Sequence, residues 1–89
     1  MKQIWKYQLE TAYEQTILMP SGAKILSLQV QNEIPCIWAL VTPDNIQDNA
    51  VKIITFGTGH PITGSADLAF IGTYQLYKGT LVFHVFQEK

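Results

Sequence analysis

A chain of 89 residues, 47% hydrophobic and 15% charged, carries enough apolar surface for one core but is too short for a second and too apolar for disorder. Its formal net charge of −1, from seven acids against six bases, gives no long-range field that would gather nucleic acid or an anionic membrane. Low surface charge favours self-association, so a homo-oligomer is expected.

The first ten residues alternate apolar and polar side chains and lack the continuous apolar core of a signal peptide. No apolar run reaches the ~18 residues of a membrane-spanning helix. Cys36 is the single cysteine and lies inside an apolar run. An intrachain disulfide is therefore excluded, and a reducing, cytoplasmic setting is expected for a soluble protein with a buried structural thiol.

Ile4, Trp5, Tyr7 and Leu9 predict a first strand that ends near Glu10 and Thr11. A short second strand is expected over residues 16–19, followed by a turn at residues 20–23, where Pro20 fixes one backbone angle and Gly22 supplies a positive φ. Alternation in residues 24–32 places Leu26, Leu28 and Val30 on one face and Ser27, Gln29 and Gln31 on the other, with Ile25 breaking the polar face. Residues 32–35 read as a connector, and residues 36–41 as a central strand buried on both sides, because the run Cys36-Ile37-Trp38-Ala39-Leu40-Val41 is almost continuously apolar.

The polar segment 42–49 reads as a surface loop, and its spacing lacks the glycine and distal glutamate of an EF-hand. Residues 51–56 form the next predicted strand, which runs into Gly57-Thr58-Gly59-His60-Pro61, and residues 63–67 form a polar loop. A strand over residues 69–77 is interrupted by Gly72, which marks a bulge or a close backbone approach. Lys78-Gly79 is expected to be a two-residue hairpin turn leading into a last strand over residues 80–86. The whole is a single all-β domain over residues 1–89, an antiparallel β-sandwich or twisted barrel of about seven strands.

The stretch from Thr55 to Ile62 concentrates permissive glycines, hydroxyls and a titratable ring at a strand end. Successive N–H groups at Gly57, Thr58 and Gly59 are the ingredients of an anion-binding nest, to which Thr58 adds a hydroxyl; the alternative is a tight turn that uses glycine for its backbone angles. It is no Walker loop, since the Gly-Lys-Ser/Thr ending is missing and no helix follows. His60 and His84 are the only histidines and lack the partners of a zinc site. His84 sits between Phe83 and Val85 as a packed side chain or a ligand contact, whereas His60, beside glycines and a proline, suits a functional loop. Ser21, Ser27, Ser65 and Cys36 lack the flanking motif of an activated nucleophile, which argues against an enzyme. Tyr74 and Tyr77 are three residues apart and cannot share a strand face, so one of them reaches a surface or a subunit interface.

The blocks Met1 to Lys6, Met19 to Gln31, Pro35 to Val41, Phe56 to Ile62, Ile71 to Thr73 and Leu81 to Phe86 together resemble a family of small bacteriophage and prophage proteins. The family pattern runs Met-Lys-x-Ile-Trp-Lys, then Gln-Val-Gln, Gly-Thr-Gly-His-Pro-Ile and Phe-His-Val-Phe. The resemblance brings no catalytic residue, cofactor or metal. By analogy it implies a non-enzymatic anti-defence accessory protein in the cytoplasm of an infected bacterial host. Such a protein would sequester, as an oligomer, a small nucleotide-type immune signal, a cyclic nucleotide or an ADP-ribose derivative. The alternative is a protein–protein inhibitor or structural accessory that binds a host partner. On the first reading Gly57, Thr58 and Gly59 hold phosphate and His60 donates. Trp38, Tyr74 or Tyr77 then stacks a base, and Gln29 and Gln31 read its edge.

Overall fold

The computed structural model describes residues 1–45, 47–64 and 67–89. Its strands are β1 (Gln3–Gln8), β2 (Glu14–Pro20), β3 (Lys24–Gln31), β4 (Ile34–Val41), β5 (Asp48–Gly57), β6 (Leu68–Leu76) and β7 (Leu81–Glu88), with no helix among the described residues. They form two antiparallel sheets, of order β1-β4-β3 and β2-β5-β7-β6. Of the two architectures open to the sequence, the chain takes the sandwich. Ile46, Ser65 and Ala66, which belong to the polar segments expected at 42–49 and 63–67, lie outside the described residues.

Period-two alternation puts one face of each sheet into a shared core. From β4 come Ile37, Ala39 and Val41, from β5 Ile53, from β7 Val85 and from β2 Met19, all almost completely buried. β4 is the centre of its sheet, flanked by β1 with Trp5 opposite Ala39 and by β3 with Leu28 opposite Ile37. Its intervening residues Cys36, Trp38 and Leu40 point to the other face, where Cys36 is a buried free thiol.

Three local expectations need correction. First, a bulge between Ile25 and Ser27 moves Ile25 into contact with the core and turns Leu26 out to solvent, so the inner face of β3 is Ile25, Leu28 and Val30. One inserted residue is enough to reverse a period-two pattern. Second, Ile34 and Pro35 belong to β4 and are not a connector: β3 and β4 are joined by Asn32 and Glu33 alone, both with positive φ (53° and 66°), which is the left-handed pair of a tight hairpin. The Pro35 carbonyl accepts from Leu9 N–H, just past the end of β1. A residue without an N–H is tolerated there because the ladder on that side is running out. Third, Lys78-Gly79 is not a two-residue turn. Leu76 pairs with Leu81, so the loop is four residues long, and Thr80 N–H bonds the Tyr77 carbonyl.

Gly72 proves to be both a bulge and a close approach. The register between β6 and β7 shifts between Phe70 and Gly72, and a Cβ on Gly72 would lie 3.3 Å from Leu28 Cδ2 of the opposite sheet. The sheets therefore close on one another where β3 meets β6.

Candidate functional site

β5 delivers Thr55, Phe56 and Gly57 to the rim of the sandwich, opposite Val85, His84 and Phe83 of β7. Immediately beyond, the N–H of His60 bonds the Gly57 carbonyl at 3.1 Å, closing a turn across Thr58 and Gly59. Gly59 has a φ of 86°, the angle that a turn of this kind requires at its third residue and that glycine adopts without a Cβ penalty. The turn folds the His60 ring onto Gly57, where an added Cβ would lie 2.9 Å from His60 Cε1 and Nδ1. Hydrogen at that position is what lets the ring lie against the strand.

His60 thereby separates two clefts. One, of about 270 Å³, lies between the 11–13 segment and the turn; its walls include Tyr13, Thr55, Phe56, Pro61 and Phe83. The other, of about 230 Å³, is bounded by Thr58 and by Thr80, Leu81 and Val82 at the start of β7. Gly57, His60 and Phe83 belong to both. No lysine, aspartate or glutamate is among the described residues lining either cleft, and the six basic residues of the chain are all lysine. Phosphate recognition through a planar guanidinium fork is therefore unavailable to this chain.

Hydrogen bonding divides the polar groups into the engaged and the unengaged. His84 is engaged at both ring nitrogens, with Nε2 2.7 Å from Thr58 Oγ1 and Nδ1 3.0 Å from Thr73 Oγ1. Spacing alone matches a nucleophile, a base and an orienting group, but a neutral hydroxyl stands where a triad has the carboxylate that stabilises an imidazolium. Thr58 N–H bonds the Val82 carbonyl at 3.3 Å, so this N–H and that of His60 are both committed within the chain and do not point jointly at an anion. Thr11 and Tyr74 share a hydroxyl–hydroxyl bond of 2.9 Å behind the first cleft. Burial pushes the Tyr74 phenol above its ordinary value, and the bond to Thr11 opposes that shift in part. Thr55 stands apart: it is 7% exposed, and its hydroxyl is buried with no partner.

Of the side chains singled out in the sequence, Gly57, Thr58, Gly59, His60 and His84 come together at this rim. Tyr74 lies behind it, 4% exposed with its ring 5.4 Å from that of Phe83. Its faces are packed, which removes it as a stacking platform. Tyr77 is exposed in the β6–β7 loop. Trp38, Gln29 and Gln31 lie elsewhere, on the outer face of the three-stranded sheet, where Lys6 Nζ donates to Gln31 Oε1 at 2.9 Å. Sequence reading placed Thr55 at the head of the stretch without giving it a role and passed over Thr73 and Thr11. Thr55 carried a signal, being the one polar side chain in the run from Ile53 to Phe56, whereas Thr73 gains meaning only from the register that sets it opposite His84.

Fold and rim together define a small antiparallel β-sandwich with a two-part uncharged cleft at a strand end. The chain belongs to the family described as a domain of unknown function (DUF7352), whose pattern matches residues 1–89. Neither the curated proteins nor the solved structures gave a match. Among the described residues no helix is long and apolar enough to cross a membrane, and no cluster of side chains could hold a metal ion.

Proposed function

We propose that this protein is a non-enzymatic accessory protein of phage origin that binds a small nucleotide-type signal at the 57–61 turn. Acting as an oligomer in the infected host's cytoplasm, it keeps the signal from its receptor. The observation that carries this reading is the pair of adjoining clefts separated by His60, concave and framed by hydroxyls and aromatic rings. Concavity with a few placed polar groups is the usual form of a small-molecule seat. The absence of cations at the described rim shifts the emphasis from phosphate to base and sugar, so affinity would come from burying the ring end of the ligand. Calorimetry against cyclic dinucleotides and cyclic ADP-ribose isomers tests the reading. A Kd below about 1 μM for one of them is expected, and silence across the panel at about 10 μM overturns it.

A second reading, docking on a host protein, is favoured by one observation. Tyr13, Phe56, Phe86 and Phe70 form a row of rings with centroids 5.3–5.8 Å apart across the outer face of the four-stranded sheet. Both ends of the row, Tyr13 and Phe70, are exposed, as is common at contact surfaces. A pull-down from host lysate in which Phe70→Glu loses a partner that His60→Ala retains would favour this reading over the first.

A further inference from the structure

The chain is a slab of 40 × 33 × 16 Å, so its broadest surfaces are the outer faces of its two sheets. On the four-stranded sheet, alternation with the core set turns Lys52, Ile54 and Phe56 of β5 and His84, Phe86 and Glu88 of β7 outward. The ring row crosses this face strand by strand, from Tyr13 beside the start of β2 through Phe56 on β5 and Phe86 on β7 to Phe70 on β6. Its middle is closed by its own neighbours, Ile54 and Phe56 being buried, whereas Tyr13 and Phe70 at the two ends are 60% and 61% exposed. A row closed in the middle and open at both ends matches its own image turned about its midpoint. The axis of that turn runs along the strands, between β5 and β7.

The charges beside the row obey the same axis. Lys52 and Glu88 stand directly opposite each other on β5 and β7, with Lys52 Nζ 2.7 Å from Glu14 Oε1 and 3.1 Å from Glu88 Oε2. A two-fold axis between the two strands exchanges them, so Lys52 of each copy lies over Glu88 of the other. Phe70 of each copy then lies toward Tyr13 of the other, and Ile54 over Phe86. Bonded to one another, the three charged groups leave little surplus to select a strongly basic or acidic partner, and a formal net charge of −1 sets up little repulsion between copies. Four strands ~4.8 Å apart and about eight residues of ~3.3 Å long cover on the order of 500 Å² in projection. Side-chain relief raises the accessible area toward the ~800 Å² that each partner gives to a standard interface. We propose that this face is the contact surface of a two-fold homodimer, in which the ring rows of two copies lie on each other and Lys52 and Glu88 pair reciprocally across the axis. This names the interface of the oligomer in the function proposed above, and it rests on that reading for its biological purpose.

Sedimentation equilibrium of the full chain without ligand tests the interface. A dimer with a dissociation constant below about 10 μM is expected. Phe70→Glu places a charge at an exposed end of the row and should weaken the dimer about thirtyfold or more. Ile4→Glu, at a side chain equally exposed on the outer face of the three-stranded sheet, should leave it unchanged. Lys52→Glu alone sets acid against acid across the axis, and Glu88→Lys alone sets base against base, so each variant should be monomeric by itself. Mixed in equal amounts, the two should form a heterodimer, because every charge then meets its opposite. Charges that served only within one chain would give no such rescue. A wild type monomeric at about 100 μM, a dimer indifferent to Phe70→Glu, or a mixture that stays monomeric overturns the assignment. A monomer that loses a host protein on Phe70→Glu overturns it as well and gives the face to that protein. A dimer that behaves as expected beside a silent nucleotide panel keeps the interface and removes the nucleotide; nucleotide binding by a monomeric wild type does the reverse.

Discussion

The outer face of the three-stranded sheet and the rim of the four-stranded sheet hold similar side chains and do different things with them. On the first, Trp38, Gln29 and Gln31 project from a ladder that runs without a register shift from Ser27 to Gln31, and Lys6 reaches across to Gln31. The second has a strand that ends, a turn that curls back over it, and a ring laid on a glycine. Amides and an indole on a continuous sheet make a wet surface. Hydroxyls and rings at a strand end, roofed by a turn, make a concavity. Position relative to the end of the ladder separates a polar face from a cleft, and residue type does not.

The sharpest way to break that contrast is to weaken the core beneath each region. Ile37 under the first and Ile53 under the second are both completely buried, and truncating either to alanine should cost about 2–5 kcal/mol, a large fraction of the ~5–15 kcal/mol that holds a domain together. Urea denaturation should show both losses. Their consequences for binding of the nucleotide panel by calorimetry should differ. Ile53 lies on the strand that carries Phe56 and Gly57 to the rim, so Ile53→Ala disturbs the cleft, whereas Ile37→Ala should destabilise the fold and leave the affinity of the remaining folded protein unchanged.

A smaller effect sharpens the account of the rim. Tyr74 and Tyr7 both carry buried phenols held above the ordinary value of 10.0. Desolvation is the main cause in both, assisted at Tyr7 by the Asp48 charge and opposed at Tyr74 by the bond from Thr11. In the unfolded chain each ionises near pH ~10, and in the folded chain only at higher pH. The folded state therefore keeps this stabilisation below about pH 10 and loses it as pH rises through the folded values. Urea midpoints measured from pH 8 to pH 11 should fall at the alkaline end. Tyr74→Phe should lower the midpoint at pH 8 by the equivalent of about 0.5–1.5 kcal/mol, for the lost Thr11 bond, and flatten the alkaline fall. Tyr7 should preserve part of the slope.

Much of the fold was legible because the signals are local. Alternation in β3, the continuous apolar run of β4 and the glycine in β6 each name their own element. The bulge at Ile25 and Ser27 was not legible: whether Ile25 or Leu26 faces the core depends on how β3 sits against β4, and either choice looks apolar in the sequence. The rim followed the same division. Gly57-Thr58-Gly59-His60 announced a turn, and a turn is there. The bonds from Thr58 and Thr73 to His84 were hidden, because they join residues 26 and 11 positions apart through a register that no single stretch encodes. Thr55 opened the stretch that the sequence marks, but its lack of a partner is a property of the packed molecule.

The smallest expected effect is the most direct test of the contrast between the two regions. Gln29 and Gln31 lie on a face with open access to water, and the bond from Lys6 to Gln31 is exposed. Replacing both glutamines by alanine removes side chains whose polar groups water satisfies equally well in the folded and unfolded states, so the change in stability should stay within about 0.5 kcal/mol. Calorimetric titration of the double variant with the nucleotide panel should match the wild type within error. Were binding lost there while His60→Ala kept it, the ligand would sit on the open face of β3 and β4. Recognition would then depend on amides and Trp38 displayed on a ladder, and the strand-end cleft would be only the packing consequence of a turn that needs glycine.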